Sequence, residues 1–268
     1  MKIKMAEVEI DPRKKITDNA AKYYEESKKY KEKIEGAKKA IKETKKLIKK
    51  AKKKEKTKEE QLRKIKRNNE WYSKFHWFKT SNDHLVIAGK NADQNEEIVK
   101  NYMEEEDLYF HADVQGAPSV ILKKGKEAEE KDLRETAVFA GSYSAAWKQG
   151  VGTADVYQVE PNQVKLGAES GEYMGKGAFL IKGEKNYYRN TELKIAFTIQ
   201  ENEIKVAPPE TFKEREINEQ KLVLLRPGDT EKNKASKQIK KKLIEKFNVK
   251  IDLNWVLERM PPNGCRVK

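Results

Sequence analysis

The segment DLYFHADVQGAPSVILKK, residues 107–124, holds the residue pair best suited to chemistry in this chain. His111 stands two residues before Asp113, and alternate residues of a strand share a face, so the pair projects to one side. A carboxylate beside an imidazole can fix its tautomer for proton transfer or for hydrogen bonding. The same two residues can equally form a strand-end hydrogen bond that sets the turn at Gly116. Catalysis would need a nucleophile or a metal. Ser142 or Ser144 could complete a hydrolytic triad with the pair, but GSYSAAW lacks the Gly-x-Ser-x-Gly elbow and its serines fall inside a predicted helix. His76, His84, His111 and the single cysteine, Cys265, show no zinc-ligand spacing. Neither a Walker loop nor a dinucleotide fingerprint is present. The expectation is a protein without enzymatic activity, metal or cofactor, with a hydrolase at His111 and Asp113 kept as an alternative.

The elements around the pair are legible from pattern. HLVIAG reads as a strand and NADQNEEIVKNYM as a helix capped by Asn91, with Ile98 and Tyr102 on its core face. DLYFHA and PSVILK read as two strands broken at Gly116 and Pro118. Residues 129–148 predict one helix whose Leu133, Ala137, Ala140, Ser144 and Trp147 share a face. TADVYQV, QVKL, GAFLIKG and LKIAFTI follow as strands, which gives an α+β domain over residues 71–206. Residues 207–268 predict a small α/β appendage: a strand, KLVLLRPGD, ending in a Pro-Gly turn, then the amphipathic helix TEKNKASKQIKKKLIEKF and a short helix stopped by Pro261 and Pro262.

Ahead of that domain the composition is different. The whole chain of 268 residues is 38% charged with a formal net charge of +14, against roughly 25% charged in average proteins. Residues 21–70 alone carry 21 Lys or Arg against 9 Asp or Glu. Within residues 1–70 an apolar seam recurs in sevens, with Tyr30, Ala37 and Ala51 on one line and Ile34, Ile41 and Ile48 on the other. Thr17, Asp18 or Asn19 can cap its start. Such a polar helix with so narrow a seam needs a second helix. KKKEKTKEE could turn the chain back, but only about a dozen helical residues follow, so the segment is expected to be one arm of a coiled coil. Its partner would be upstream sequence or a second copy, giving a homodimer. The excess positive charge points to a polyanionic partner. No stretch reaches the roughly 18 apolar residues of a membrane span, and one cysteine without a disulfide framework fits a reducing, cytoplasmic setting.

Four blocks in fixed order, KFHWFKTSNDHLVIAGKNADQNEEIVKNYM, DLYFHADVQGAPSVILK, AVFAGSYSAAW and SGEYMGKGAFLIKGEKNYY, resemble the R domain of NFACT proteins. That family includes the fibronectin-binding-protein-A-like proteins, and the wording resembles its archaeal and eukaryotic branch. VEIDPRKKITDNAAKYYEESKKYKEKIEGAKKAI is similar to the second arm of the family's coiled-coil middle region. The resemblance implies a C-terminal fragment, lacking the N-terminal domain and helix-hairpin-helix module, of a ribosome-associated quality-control factor. It further implies binding to an obstructed large ribosomal subunit, its rRNA and tRNA, with the R domain as an RNA-binding module. A host-matrix adhesion role has also been claimed for the bacterial branch. At Ala88, Gly89 and Lys90 the sequence departs from a frequent Gly-Gly-Arg, and lysine lacks the bidentate fork that arginine offers phosphate.

Residue chemistry and resemblance together give an expected RNA groove. His111, Asp113, the Gly116 turn, Lys123 and Lys124 would form one wall. Arg134, Tyr143 and Lys148 on the following helix would form the other, with Tyr143 stacking on a base and the lysines meeting phosphate. Arg134 could instead pair with a neighbouring carboxylate. A protein-interaction scaffold acting through the coiled coil is the alternative from another class.

Overall fold

The computed structural model describes residues 8–60, 62–166 and 177–268, with the backbone alone over 51–60. It divides into two compact units, Met1–Gln61 and Leu62–Lys268. The first is built on one helix, α1 (Ile16–Glu60). KKKEKTKEE does not turn the chain: Lys and Glu are good helix formers, and the backbone stays helical through Glu60. No residue of Thr17–Asn19 caps the start. Asn19 lies inside the first turn and ties back to the preceding loop, donating from Nδ2 to the Asp11 carbonyl at 3.1 Å and accepting from the Asp11 amide at 3.0 Å. Tyr30, Ile34, Ile41 and Ile48 on the seam are all exposed.

In the second unit the fold is α+β. A parallel pair, β1 (Arg63–Lys64) with β13 (Val249–Lys250), draws residues 63 and 64 into the body rather than the arm. Six strands form the main sheet: β2 (His76–Lys79), β3 (Leu85–Ala88), β5 (Val120–Leu122), β4 (Leu108–Ala112), β6 (Thr153–Val159) and β9 (Asn186–Glu192), in that spatial order. Alternation decides its two faces. Val86, Ala88, Leu108, Phe110, Val120 and Leu122 enter one core with α3 (Glu130–Ser142). Ile87, Tyr109 and Ile121 face the other way, into a second core with α2 (Ala92–Asn101). A two-stranded hairpin, β7 (Val164–Leu166) and β8 (Phe179–Ile181), adds Val164 and Phe179 to that second core. Because both faces are covered, the strands read as nearly continuous apolar runs.

The expected boundary near residue 206 runs through a sheet. β10 (Ile195–Gln200) and β11 (Glu203–Ala207) pair with β12 (Val223–Thr230) and β14 (Cys265–Val267) in the order β11-β10-β12-β14. Leu224 and Leu225 register against Ala196 and Ile195. Residues 207–268 are therefore half of a shared sheet, not a separate appendage. β12 also continues through Pro227 and Gly228, where a turn was expected; its register against Cys265 shifts there as a bulge, and a bulge tolerates proline. α5 (Pro209–Glu214), α6 (Lys232–Phe247) and α7 (Leu253–Leu257) complete this side, with Ile239 and Leu243 of α6 in the core.

The helix expected over residues 129–148 is two. α3 stops at Ser142, and Ser144 caps α4 (Ala145–Lys148) by accepting from the Ala146 amide at 3.2 Å. Serine competes for backbone groups and favours caps.

Candidate nucleic-acid interface

A cleft of about 710 Å³ opens where β4 ends, where α2 begins and where α4 lies. Gly89 lets β3 meet α2 so closely: a Cβ there would stand 2.1 Å from Asn95 Oδ1. Asn91 caps α2 by accepting from the Gln94 amide at 2.9 Å, as expected. His111 forms the cleft wall from β4, and Gly116, with φ of +83°, carries the turn that follows.

His111 and Asp113 do not work as a pair. His111 Nδ1 lies 3.0 Å from the Pro118 carbonyl. A carbonyl can only accept, so Nδ1 carries the proton and Nε2 is left as an acceptor with no partner among the described residues. Burial lowers the imidazole's pKa, against the weaker opposing pull of the Pro118 bond and of Asp113. The ring is therefore neutral at pH 7. Asp113 is exposed and accepts from the Tyr187 hydroxyl at 3.2 Å. The histidine thus clasps the two ends of the β4–β5 turn, the structural reading of this motif.

No hydrolytic triad forms. Ser142 Oγ accepts from the Lys194 amide at 3.0 Å, and Ser144 Oγ donates to the Gly141 carbonyl at 2.7 Å. Both serines are fully buried. Among the described residues no group of three or more His, Cys, Asp or Glu could hold a metal ion.

The two walls expected from the sequence come together only in part. Gly116 and Lys148 line the cleft with His111. Lys123 does not: its ammonium donates to Asp107 Oδ2 at 2.6 Å, to Glu104 Oε2 at 2.8 Å and to the Tyr102 carbonyl at 2.8 Å, and its side chain is 17% exposed. Lys123 and Lys124 follow β5 at the end opposite His111, roughly 13 Å away at strand rise, so they belong to another surface. Arg134 is also absent from the cleft. Its Nε pairs with Glu130 at 2.8 Å across one helical turn, and it sits about 13 Å up α3 from Tyr143. Tyr143 does reach the cleft but cannot stack on a base. Its ring is 4.2 Å from the His76 ring and 4.6 Å from Phe139, and its hydroxyl donates to the Arg259 carbonyl at 2.5 Å. Burial raises the pKa of that hydroxyl.

Lys90, on the loop into α2, is the cleft cation that motif spacing did not select. Surrounding protein lowers its ammonium pKa, and Arg259, Arg67 and Lys232 push the same way against Glu258. Neither Lys90 nor Lys148 has a carboxylate within ion-pair distance among the described residues. A third cation, Lys185, does not itself line the cleft, but its ammonium lies 4.1 Å over the ring of Tyr157, which does. The departure from Gly-Gly-Arg was the available signal for Lys90, but it argued for a weaker contact rather than a central one.

Residues 74–183 match the family model described as the NFACT protein RNA binding domain. The first seven residues of the block SGEYMGKGAFLIKGEKNYY lie outside the described residues. Over 218 residues the chain is 43% identical to the archaeal Rqc2 homolog aRqcH of Methanocaldococcus jannaschii, covering 80% of this chain and 31% of that protein. It is 37% identical over 176 residues to the ribosome quality control complex subunit NEMF homolog of Drosophila melanogaster, covering 65% and 17%. Over 130 residues it is 39% identical to ribosome quality control complex subunit NEMF of Homo sapiens, covering 48% and 12%. An α+β body with an RNA-binding-domain match and an uncompensated basic cleft defines a class of RNA-associated proteins. Within that class, the chain belongs to the NFACT family. It spans about a third or less of the length of these relatives.

Proposed function

We propose that this chain is the RNA-binding part of a ribosome quality control factor, engaging rRNA of an obstructed large ribosomal subunit and tRNA through the cleft between α2, α4 and the β4–β5 turn. Lys90, Lys148 and Lys185 act as point charges for phosphates. Neutral His111 offers Nε2 to a donor, and the ribose 2′-hydroxyl that distinguishes RNA from DNA is such a donor. Asp113 and Gly116 shape the rim. The observation that carries this reading is that Lys90 and Lys148, on different walls of one cleft, have no carboxylate partner among the described residues. Lysines on a merely solvated surface need not converge. The relatives' names, as ribosome quality control proteins, support the ribosomal setting.

The test is tRNA and rRNA-fragment binding across a salt series. Lys90→Ala and Lys148→Ala should each weaken binding and flatten the log–log salt slope by roughly 1. Unchanged slopes in both variants would move the RNA site elsewhere, with the charge of α1 as the next candidate.

A further inference from the structure

Three buried side-chain polar atoms have no hydrogen-bond partner among the described residues: Trp77 Nε1, Thr211 Oγ1 and Arg215 Nε. Their side chains line a single pocket of about 390 Å³, away from the basic cleft. Buried donors in folded proteins are nearly always satisfied, and an orphan destabilises the fold that holds it. Thr211 has the Glu135 carboxylate beside it. Trp77 Nε1 and Arg215 Nε are the two donors left without a partner, on side chains that line the same pocket. Trp77 is held rigidly: it is 6% exposed, with the Arg259 guanidinium 4.8 Å over its ring. Arg215 is fixed by donation from Nη2 to Asp83 Oδ1 at 2.7 Å and to the Thr80 carbonyl.

The pocket's walls are two sheet edges. Among the described residues β2 pairs only with β3 in the main sheet, and β11 only with β10 in the other. Trp77 and Lys79 come from the first edge, Glu203 and Lys205 from the second. A cleft between two strand edges suits an extended chain, and its volume is within the range of small-ligand sites. The charge here departs from the basic average of the protein. Of the lining ions, Asp83 is paired with Arg215 and Glu203 with Lys205. Glu70 and Glu201 remain without an ion pair among the described residues, against Lys79 alone. A phosphate would meet those two carboxylates, whereas a cationic side chain would be drawn to them.

We propose that this pocket binds an extended, basic peptide segment, its main-chain carbonyl oxygens accepting from Trp77 Nε1–H and Arg215 Nε–H and its cationic side chain meeting Glu70 and Glu201. The surface is separate from the RNA cleft and would let the protein hold polypeptide and nucleic acid together.

The test follows the four tryptophan indole N–H resonances of the full ¹⁵N-labelled chain. Trp77 is assigned through Trp77→Phe, or by elimination with Trp71→Phe, Trp147→Phe and Trp255→Phe should that variant not fold. Acetyl-Ala-Lys-Ala-amide should move the Trp77 resonance downfield to saturation, with acetyl-Ala-Glu-Ala-amide at least about tenfold weaker. Glu201→Gln, an exposed change, should weaken the lysine peptide with the melting temperature unaltered. A Trp77 resonance that ignores the lysine peptide at millimolar concentration overturns the proposal. So does an equal response to both peptides, or a response to tRNA instead.

Discussion

Two lysines, 90 and 123, look interchangeable in composition, and the structure separates them. In Lys123→Ala the perturbation removes a cation whose partner Asp107 is fully buried. Breaking a buried ion pair from one side costs roughly 3–5 kcal/mol, because the surviving charge is stranded. Asp107 keeps two amide donors, from Glu104 at 2.8 Å and Lys124 at 2.9 Å, and Lys123 is partly exposed. Both facts move the expected loss to the low end, about 2–3 kcal/mol. For a folded unit of this size each kcal/mol lowers Tm by about 2–4 °C, so the variant should melt about 4–12 °C early. Its RNA affinity, measured below that transition, should equal that of the parent chain. Thermal melting by circular dichroism and tRNA titration on one preparation decide the matter. An unshifted Tm together with weaker RNA binding would refute the assignment of Lys123 to structure.

Other expectations separate structure from recognition at the remaining positions. His111→Ala loses the clasp on Pro118 and should cost about 1 kcal/mol, while His111→Asn, whose Nδ2 can reach the same carbonyl, should keep the Tm; weaker RNA binding by both would show that the imidazole Nε2 contributes. Burial lowers the pKa of His76 strongly, with help from Lys90, Lys232 and Arg259, and that of His111 as well. The unfolded chain then binds more protons below the free histidine value of about 6.5, so stability should be full above that pH and fall beneath it, at up to about 1.4 kcal/mol per pH unit for each histidine; a flat urea midpoint between pH 7 and 5 would refute this. If the exposed seam of α1 is covered by a second copy, sedimentation should show a dimer that Ile34→Asp with Ile41→Asp dissociates, and a monomer at all concentrations would leave that seam to another chain.

Much of the fold could be read from the sequence because its signals are local. The Asn91 cap, the strand TADVYQV and the apolar line of Ile239 and Leu243 each depend on residues close by in the chain. What could not be read is set by distant partners. NYYRNTE mixes polar and aromatic residues without alternation, yet it is the edge strand β9, held by pairing with β6. The ion pairs of Lys123 were not legible because its partners, Tyr102, Glu104 and Asp107, lie across a loop that periodicity does not describe. Tyr143 looked available for stacking because nothing nearby shows that His76 and the Arg259 carbonyl enclose it. Trp77 and Arg215, from opposite ends of the body's sequence, share a pocket only through the meeting of two sheets.

The ordering of the four-stranded sheet bears on how the chain matures during synthesis. β12 is flanked by β10, some 30 residues earlier, and by β14 at residues 265–267. Trp147 Nε1 donates to the Gly264 carbonyl at 3.0 Å, a bond spanning 117 residues. Contacts of such long sequence separation form late and slowly. Until residue 267 has cleared the exit tunnel, Trp147 and the outer edge of β12 have no native cover. A nascent body arrested short of that point should be open to proteases and chaperones, and should become resistant abruptly once β14 has emerged.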